Sequence, residues 1–306
     1  MSFDIIIPFL KPIQCLLESE SISEIMVNPD GSVWIEERGH IEPVTGVNFE
    51  EGALLTALEV IANHFGKKLD ADSPIMNLRL PDGSRLAATI PPIVHQQPLM
   101  TIRRFTSRNF TMNDLIERKM LTADQAGMLT GAVRRGDNIL ISGGTSTGKT
   151  TVLNVLADAI PEQERILIIE DTAELHIRKP HVVQQEAQTD THRHPITFDD
   201  LLKAALRHRP DRIILGEIRG TEARTLLDSM NTGHRGALAT IHASSAQGAL
   251  LRLRTLLMRG ASSLLPAEAD AEIHSSIHLV VHIDRVDGQR HIQGILNVAG
   301  KSADVR

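Results

Sequence analysis

Eight consecutive residues, Gly143-Gly144-Thr145-Ser146-Thr147-Gly148-Lys149-Thr150, satisfy every fixed position of the pattern G-x-x-x-x-G-K-[ST], and this constrains the fold more than any other feature. Such a loop works between a buried strand and the helix that follows it. Asn138 to Ser142 reads as the strand and Thr151 to Ala157 as the helix, so the required order is met. Glycines let the backbone turn back and present successive N–H groups, which together with the positive end of the helix form a seat for phosphate oxygens. The expected nucleotide-binding set is therefore Gly143, Gly144, Thr145, Ser146, Thr147, Gly148, Lys149, Thr150 and Thr151. Lys149 is expected to reach the β- and γ-phosphates, and the Thr150 hydroxyl to ligate magnesium.

A chain of 306 residues has room for about two domains. With 42% hydrophobic and 23% charged residues it is globular in composition, with enough apolar material for a sizeable core. A net charge of −6 gives no broad attraction to nucleic acid, so no direct nucleic-acid partner is expected. Cys15 is the only cysteine, which excludes an intrachain disulfide and a cysteine zinc cluster and fits a reducing cytoplasm. No apolar run approaches the roughly 18–20 residues needed to span a bilayer, and no secretory signal is recognisable. The expectation is a soluble or peripherally docked protein.

Two regions differ in pattern. Glu24 to Asn28 and Ser32 to Glu36 flank Pro29-Asp30-Gly31 as a hairpin, residues 50–66 carry a helical apolar spacing, and Ile75 to Leu80 and Leu86 to Ile90 form a second strand pair. Residues 1–105 thus read as a small α+β domain, 106–113 as a linker, and 114–306 as a second domain. In the latter, helices are expected near 114–134, 149–159, 198–208, 221–231 and 245–258. Strands are expected near 138–142, 165–169, 212–215 and 237–241, with a terminal hairpin around Asp287-Gly288. Such alternation implies an α/β fold with a mainly parallel sheet.

Open parallel sheets gather their sites at the carboxyl ends of the strands. Two buried runs end on acids there: Arg165 to Ile169 delivers Glu170-Asp171, and Arg212 to Gly216 delivers Glu217. Hydrolysis of a magnesium nucleotide needs an oxygen ligand for the metal and a carboxylate to orient water, so Glu170 and Glu217 are the expected pair; capping of following helices is the other common use of such acids. The segment Asn231 to Ala243 sets His234 before a strand and His242 at its end, among 14 histidines in all. His274, His278 and His282 recur every four residues, but alternation of Ile277, Leu279, Val281 and Ile283 reads as a strand rather than a metal site.

Four segments taken in order resemble the boxes of bacterial secretion ATPases: the phosphate loop, Ile169 to Leu175, Arg209 to Gly220, and Thr232 to Ala243. The likeness runs from about residue 20 to 260 and is nearest the short branch of conjugative type IV secretion and tight-adherence pilus ATPases. It implies a RecA-like P-loop domain, ATP and Mg2+ as cofactors, and a homo-hexameric ring at the cytoplasmic face of the inner membrane. Platform or channel proteins of a secretion or pilus system would be its partners. It further implies that Lys149, Glu170, Glu217, His234 and His242 are catalytic, that Thr150 and Glu217 hold the metal, and that Arg85, Arg103, Arg104 and Arg219 reach phosphates. The larger type II and pilus-assembly members carry a four-cysteine zinc site that one cysteine cannot supply.

Other uses of such a loop stay open on sequence alone. A nucleic-acid-dependent RecA-like motor would want a basic groove or stacking aromatics, whereas this chain has no tyrosine, one tryptophan and seven phenylalanines. A small-molecule kinase would need neither the first domain nor the two histidines. A non-catalytic nucleotide-gated scaffold would not need Lys149, Thr150, Glu170 and Glu217 together.

Overall fold

The computed structural model describes residues 6–37, 39–104, 110–188, 195–260 and 264–298. The chain divides into two units, Met1–Arg108 and Asn109–Arg306. Part of the expected linker, residues 106–109, lies outside the described residues.

The first unit is built on alternation. Two short turns, Ile7–Phe9 and Lys11–Ile13, run into α1 (Gln14–Glu18). Ile6, Leu10, Ile13 and Leu17 are buried and belong to the core, whereas Phe9 is exposed. There follow β1 (Ile22–Val27), β2 (Val33–Glu37), β3 (His40–Val44), α2 (Ala53–His64), β4 (Ile75–Arg79), β5 (Arg85–Thr89) and β6 (Leu99–Arg103). The sheet runs β3-β2-β1-β6-β5-β4 and every pairing is antiparallel. Its inner face supplies Ile25, Val27, Leu86, Met100 and Ile102, which pack with Leu54, Leu58 and Ile61 of α2. Strand β3 is an addition to the sequence reading. It is an edge strand with no buried residue and a proline at position 43, so period-two patterning gives it no signal.

The second unit is a layered α/β structure. Its elements are α3 (Met112–Glu117), α4 (Ala123–Arg135), β7 (Ile139–Gly143), α5 (Lys149–Ala157), β8 (Ile166–Glu170), β9 (Val182–Glu186) and α6 (Phe198–Ala205). Then come β10 (Arg212–Ile218), α7 (Glu222–Asn231), β11 (Leu238–His242), α8 (Ala246–Gly260), α9 (Pro266–Ser276), β12 (Leu279–Val286) and β13 (Gln289–Asn297). The sheet order is β13-β12-β7-β11-β10-β8-β9, parallel from β12 through β9, with β13 antiparallel at the end.

Helices cover both faces, which is why β7 and β8 are buried at every residue. On one face Leu129 and Val133 of α4 and Val152 and Leu153 of α5 pack against Ile141 and Val281. On the other, Leu202 of α6, Leu226 of α7, Leu253 of α8 and Ile273 of α9 pack against Leu140 and Val280.

Three differences from the sequence reading have physical causes. The helix expected over 114–134 is two, because Thr111 with Asp114 and Thr122 with Gln125 each close a capping box, and Lys119 between them takes a left-handed φ of 57°. Strand β9 is an edge strand with no buried position, and α9 buries only Ala269, Ile273 and Ser276, so neither carries a readable apolar stripe.

Candidate functional site

Strand β7 delivers the chain into the phosphate loop, and the close fit there accounts for its first glycine. A Cβ on Gly143 would lie 2.5 Å from the Ile283 carbonyl oxygen of β12 and 2.6 Å from Thr147 Oγ1. The loop is tightened internally, since Thr147 Oγ1 donates to the Gly144 carbonyl at 3.0 Å. Gly148 takes φ 96° and opens α5, while Gly144, Thr145 and Ser146 are exposed at the tip. Thr150 and Thr151 are half-buried in the first turn of α5. This is a backbone cradle at a helix N-terminus, the arrangement that suits a polyphosphate.

Lys149 is buried at 8% exposure, and its Nζ donates to the Gly143 and Gly144 carbonyls at 3.2 and 2.7 Å. It also points at His242. Because β11 lies beside β7 with His242 in register with Gly143, Lys149 Nζ comes 3.5 Å from His242 Nδ1. An ammonium only donates, so Nδ1 accepts and the ring proton sits on Nε2. Nε2 in turn lies 3.3 Å from Glu217 Oε1. Burial lowers the His242 pKa, the Lys149 charge lowers it further and Glu217 opposes, so the ring is neutral at neutral pH.

Glu217 owes its aim to an irregularity. The β10–β11 register shifts between Leu215 and Ile218, and Thr240 Oγ1 donates to the Gly216 carbonyl at 2.6 Å. A bulge of this kind re-aims a side chain. The second Glu217 oxygen takes a 2.8 Å hydrogen bond from Arg219, whose other nitrogen donates to Asp171 at 2.6 Å. The hydrogen bond to Glu217 raises the already high Arg219 pKa and so fixes its charge. One connected line of polar groups therefore runs Lys149, His242, Glu217, Arg219, Asp171.

Glu170 stands outside that line. It is 3% exposed at the end of β8; Oε1 accepts the Glu174 and Leu175 N–H groups at 2.9 Å each, and Oε2 accepts Gln184 Nε2 at 2.6 Å. Burial raises its pKa, and those three hydrogen bonds pull the other way. It neighbours the Glu217 segment, since a Cβ on Gly216 would fall 3.0 Å from Glu170 Cγ. His234 is also separate: its N–H donates to the Ser229 carbonyl at 3.0 Å, and its Nδ1 is buried without a hydrogen-bond partner among the described residues.

The first-unit arginines have their own setting. Arg85 faces Arg79 on β4 and Arg103 on β6, and Arg103 faces Glu24 on β1, which makes a row of three arginines across the sheet. Like charges placed directly opposite are unfavourable, and the row ends on an acid, Glu24, 3.8 Å from Arg103. Arg104 instead donates to the Leu16 carbonyl at 3.3 Å and to the Ser19 carbonyl, tying α1 to the sheet.

Sequence reasoning missed Arg79, which only strand register reveals, and Glu222. The latter is 6% exposed at the first position of α7 and accepts the Arg219 and Gly220 N–H groups at 2.6 and 2.7 Å. An acid opening a helix was the available signal. For a metal, the candidate oxygen donors at the strand ends and loop are the Thr150 hydroxyl and the carboxylates of Glu170, Asp171 and Glu217, and no group of three His, Cys, Asp or Glu forms a cage among the described residues. A magnesium ion keeps several waters and takes phosphate oxygens plus one or two protein donors, so this donor chemistry fits it.

Parallel sheet, phosphate loop and strand-end carboxylates define the class as an α/β protein of the phosphate-loop kind. The profile of type II/IV secretion system proteins matches residues 10–293. Conjugal transfer protein TrbB of Rhizobium radiobacter is 35% identical over 289 residues, covering 93% of this chain and 86% of that protein. The crystal structure of the VirB11 ATPase from the Brucella suis type IV secretion system, in complex with sulphate, superposes with a TM-score of 0.53 at 26% identity, covering 95% of this chain and 94% of that one. The Legionella pneumophila ATPase DotB gives a TM-score of 0.68 at 20% identity, covering 98% and 82%, and bears on the fold alone. The chain belongs to the type II/IV secretion system protein family and is a secretion ATPase.

Proposed function

We propose that this protein is a magnesium-dependent ATPase with a RecA-like second unit, working as a ring-forming motor. It would drive a type IV secretion, conjugation or pilus apparatus from the cytoplasmic face of the inner membrane. The observation that carries the reading is the line from Lys149 through His242 to Glu217, which joins the phosphate cradle across β11 to an acid near the end of β10. That no described helix is long and apolar enough to cross a membrane is compatible with docking onto a membrane platform or channel protein.

Loop N–H groups from Gly144 to Thr151 and the Lys149 ammonium grip the β- and γ-phosphates. Thr150 and Glu217 would hold magnesium, which when bound would offset charge on the nucleotide phosphates. Water attacks the γ-phosphorus: a new O–P bond forms, the bond to the β–γ bridging oxygen breaks, and ADP and phosphate leave while the proton passes to solvent. Glu170 positions the water, its raised pKa and remaining acceptor capacity suiting it to take up the water proton in passing. His242 reports the Lys149 position to Glu217, and His234 belongs to the same responsive segment. Arg85 and Arg103, with Arg79 beside them, and Arg219 stabilise charge on the transferred group, Arg104 serving them by anchoring the strand end. Within a ring, closure on nucleotide becomes displacement of a neighbour.

Lys149→Ala tests the assignment: nucleotide binding and phosphate release should both be lost, by about 10²–10³-fold or more in turnover. Undiminished hydrolysis by that variant contradicts it.

A further inference from the structure

We infer that Gln184, on the edge strand β9, is a positioning residue for hydrolysis: its side-chain amide turns the Glu170 carboxylate so that one acceptor site on Oε2 is left for the attacking water. This rests on the reading of Glu170 as the acid that positions that water. It adds the oxygen that does so and the side chain that aims it.

The sheet brings the two residues together. Strand β9 lies beside β8 at the edge of the parallel order, with Gln184 opposite Ile168 and Glu186 opposite Glu170. Residues two apart along a strand share a face. Gln184 and Glu170 are therefore on one face, the one where Ile166 and Ile168 pack with Val152 and Leu153 of α5. That helix is the one the phosphate loop opens.

The acceptor sites decide which oxygen is open. An ionised carboxylate has about four, two on each oxygen. Glu170 Oε1 accepts the N–H groups of Glu174 and Leu175 at 2.9 Å each, which fills it. Oε2 accepts Gln184 Nε2 at 2.6 Å, and one site on that oxygen is left. Any water that Glu170 holds must take it. The two main-chain donors belong to the turn after β8 and come with the fold. Gln184 is the one side-chain donor to Glu170 among the described residues, so it sets the rotation of the carboxylate and the direction of the open site.

The amide is itself held. Gln184 Nε2 also donates to the Leu175 carbonyl at 3.2 Å. Both neighbours only accept, so the nitrogen must face them and its two N–H bonds divide between them. The same stretch is tied to α5, because the His176 N–H donates to Asn154 Oδ1 at 3.0 Å. Glu170, Gln184 and residues 174–176 thus form a hydrogen-bonded group fastened to the helix that carries the phosphate cradle. An amide bond to a carboxylate is charge-assisted and stronger than a neutral pair. Gln184 is otherwise exposed and buries no apolar surface, so its hold on Glu170 is separable from the packing of β9.

The test uses the intact chain with magnesium-ATP and reads phosphate release, equilibrium ATP binding and thermal melting. Gln184→Met keeps the length of the side chain and lacks the donor; it is measured alone and combined with Glu170→Gln. Alone it should lower kcat by about tenfold or more, with ATP affinity and melting temperature little changed. Gln184→Glu, which sets a further acceptor against Oε2, should lose at least as much. In the Glu170→Gln background Gln184→Met should cost nothing further, since the group it aims is gone. Parent turnover in Gln184→Met, a loss confined to affinity or melting temperature, or the same kcat loss in both backgrounds overturns the inference. If Glu170→Gln alone turns over at the parent rate, the reading of Glu170 has itself failed and the inference falls with it, a failure told apart from the others.

Discussion

The Nε2 of His242 lies 3.3 Å from Oε1 of Glu217, although the two residues come from different strands and neither is beside the other in sequence. With Lys149 3.5 Å from the other ring nitrogen, the imidazole is the bridge between cradle and acid. A side chain here can transmit the position of the Lys149 ammonium to a carboxylate without moving a strand. His242→Ala should lower kcat by about 10²-fold while nucleotide affinity changes little, the split expected when an interaction belongs to the reacting state. Steady-state kinetics beside equilibrium binding reads it, and a loss confined to affinity goes against it.

Glu222 makes a separable, structural prediction. Its carboxylate satisfies two backbone N–H groups that set the Arg219 turn. Glu222→Ala leaves two part-buried donors unpaired and should reduce stability by about 1 kcal/mol, measured by urea unfolding, and should lower turnover by loosening Arg219. Unchanged stability would mean the turn is held by something else.

Gly143→Ala forces a Cβ to within 2.5 Å of a main-chain oxygen on β12, and main chain in the middle of a sheet does not yield cheaply. The variant should be less stable by about 1–3 kcal/mol and bind nucleotide poorly. A stable variant with normal binding would show that the β7–β12 contact is looser than described.

Arg103→Ala separates charge from structure. Its ion pair with Glu24 spans 3.8 Å at the surface, and such pairs contribute about 0–1 kcal/mol. Thermal stability should barely change, whereas turnover should drop if Arg103 stabilises transferred charge. Full activity removes this residue from the mechanism.

His282 gives the pH dependence. It is buried at 7% exposure, its Nδ1 pairs with Ser142 Oγ at 3.0 Å, and burial lowers its pKa while Asp284 opposes. A histidine whose folded pKa is lowered binds its proton more readily when unfolded. Its contribution is therefore intact above the ordinary value of 6.5 and is lost as pH falls from there through the lowered folded value. Between about pH 7.5 and about pH 5.5 the parent protein should lose more thermal stability than His282→Asn, because the variant lacks that group. Equal losses would assign the pH dependence elsewhere.

How legible this was in sequence depended on the range of each contact. Residues 143–150 could be read without a structure, since a loop whose function lies in its own backbone needs no distant partner. The strand-end positions of Glu170 and Glu217 followed from buried runs. The link between Lys149 and His242 spans 93 positions and exists only because β11 is the neighbour of β7, a choice of strand order that no local pattern encodes. The Arg79, Arg85 and Arg103 row likewise needs the register of three strands. Capping boxes at Thr111 and Thr122 were written in the sequence, and a continuous apolar period across them hid the break between α3 and α4.

The central claim is that an acid at the end of β10 works on a polyphosphate held by the loop after β7. Its most direct measurement compares magnesium-ATP binding and phosphate release in the parent protein and in Glu217→Gln. The account predicts that the variant still binds ATP and releases phosphate about 10²-fold more slowly or worse. Phosphate release at the parent rate, with binding intact, would contradict it.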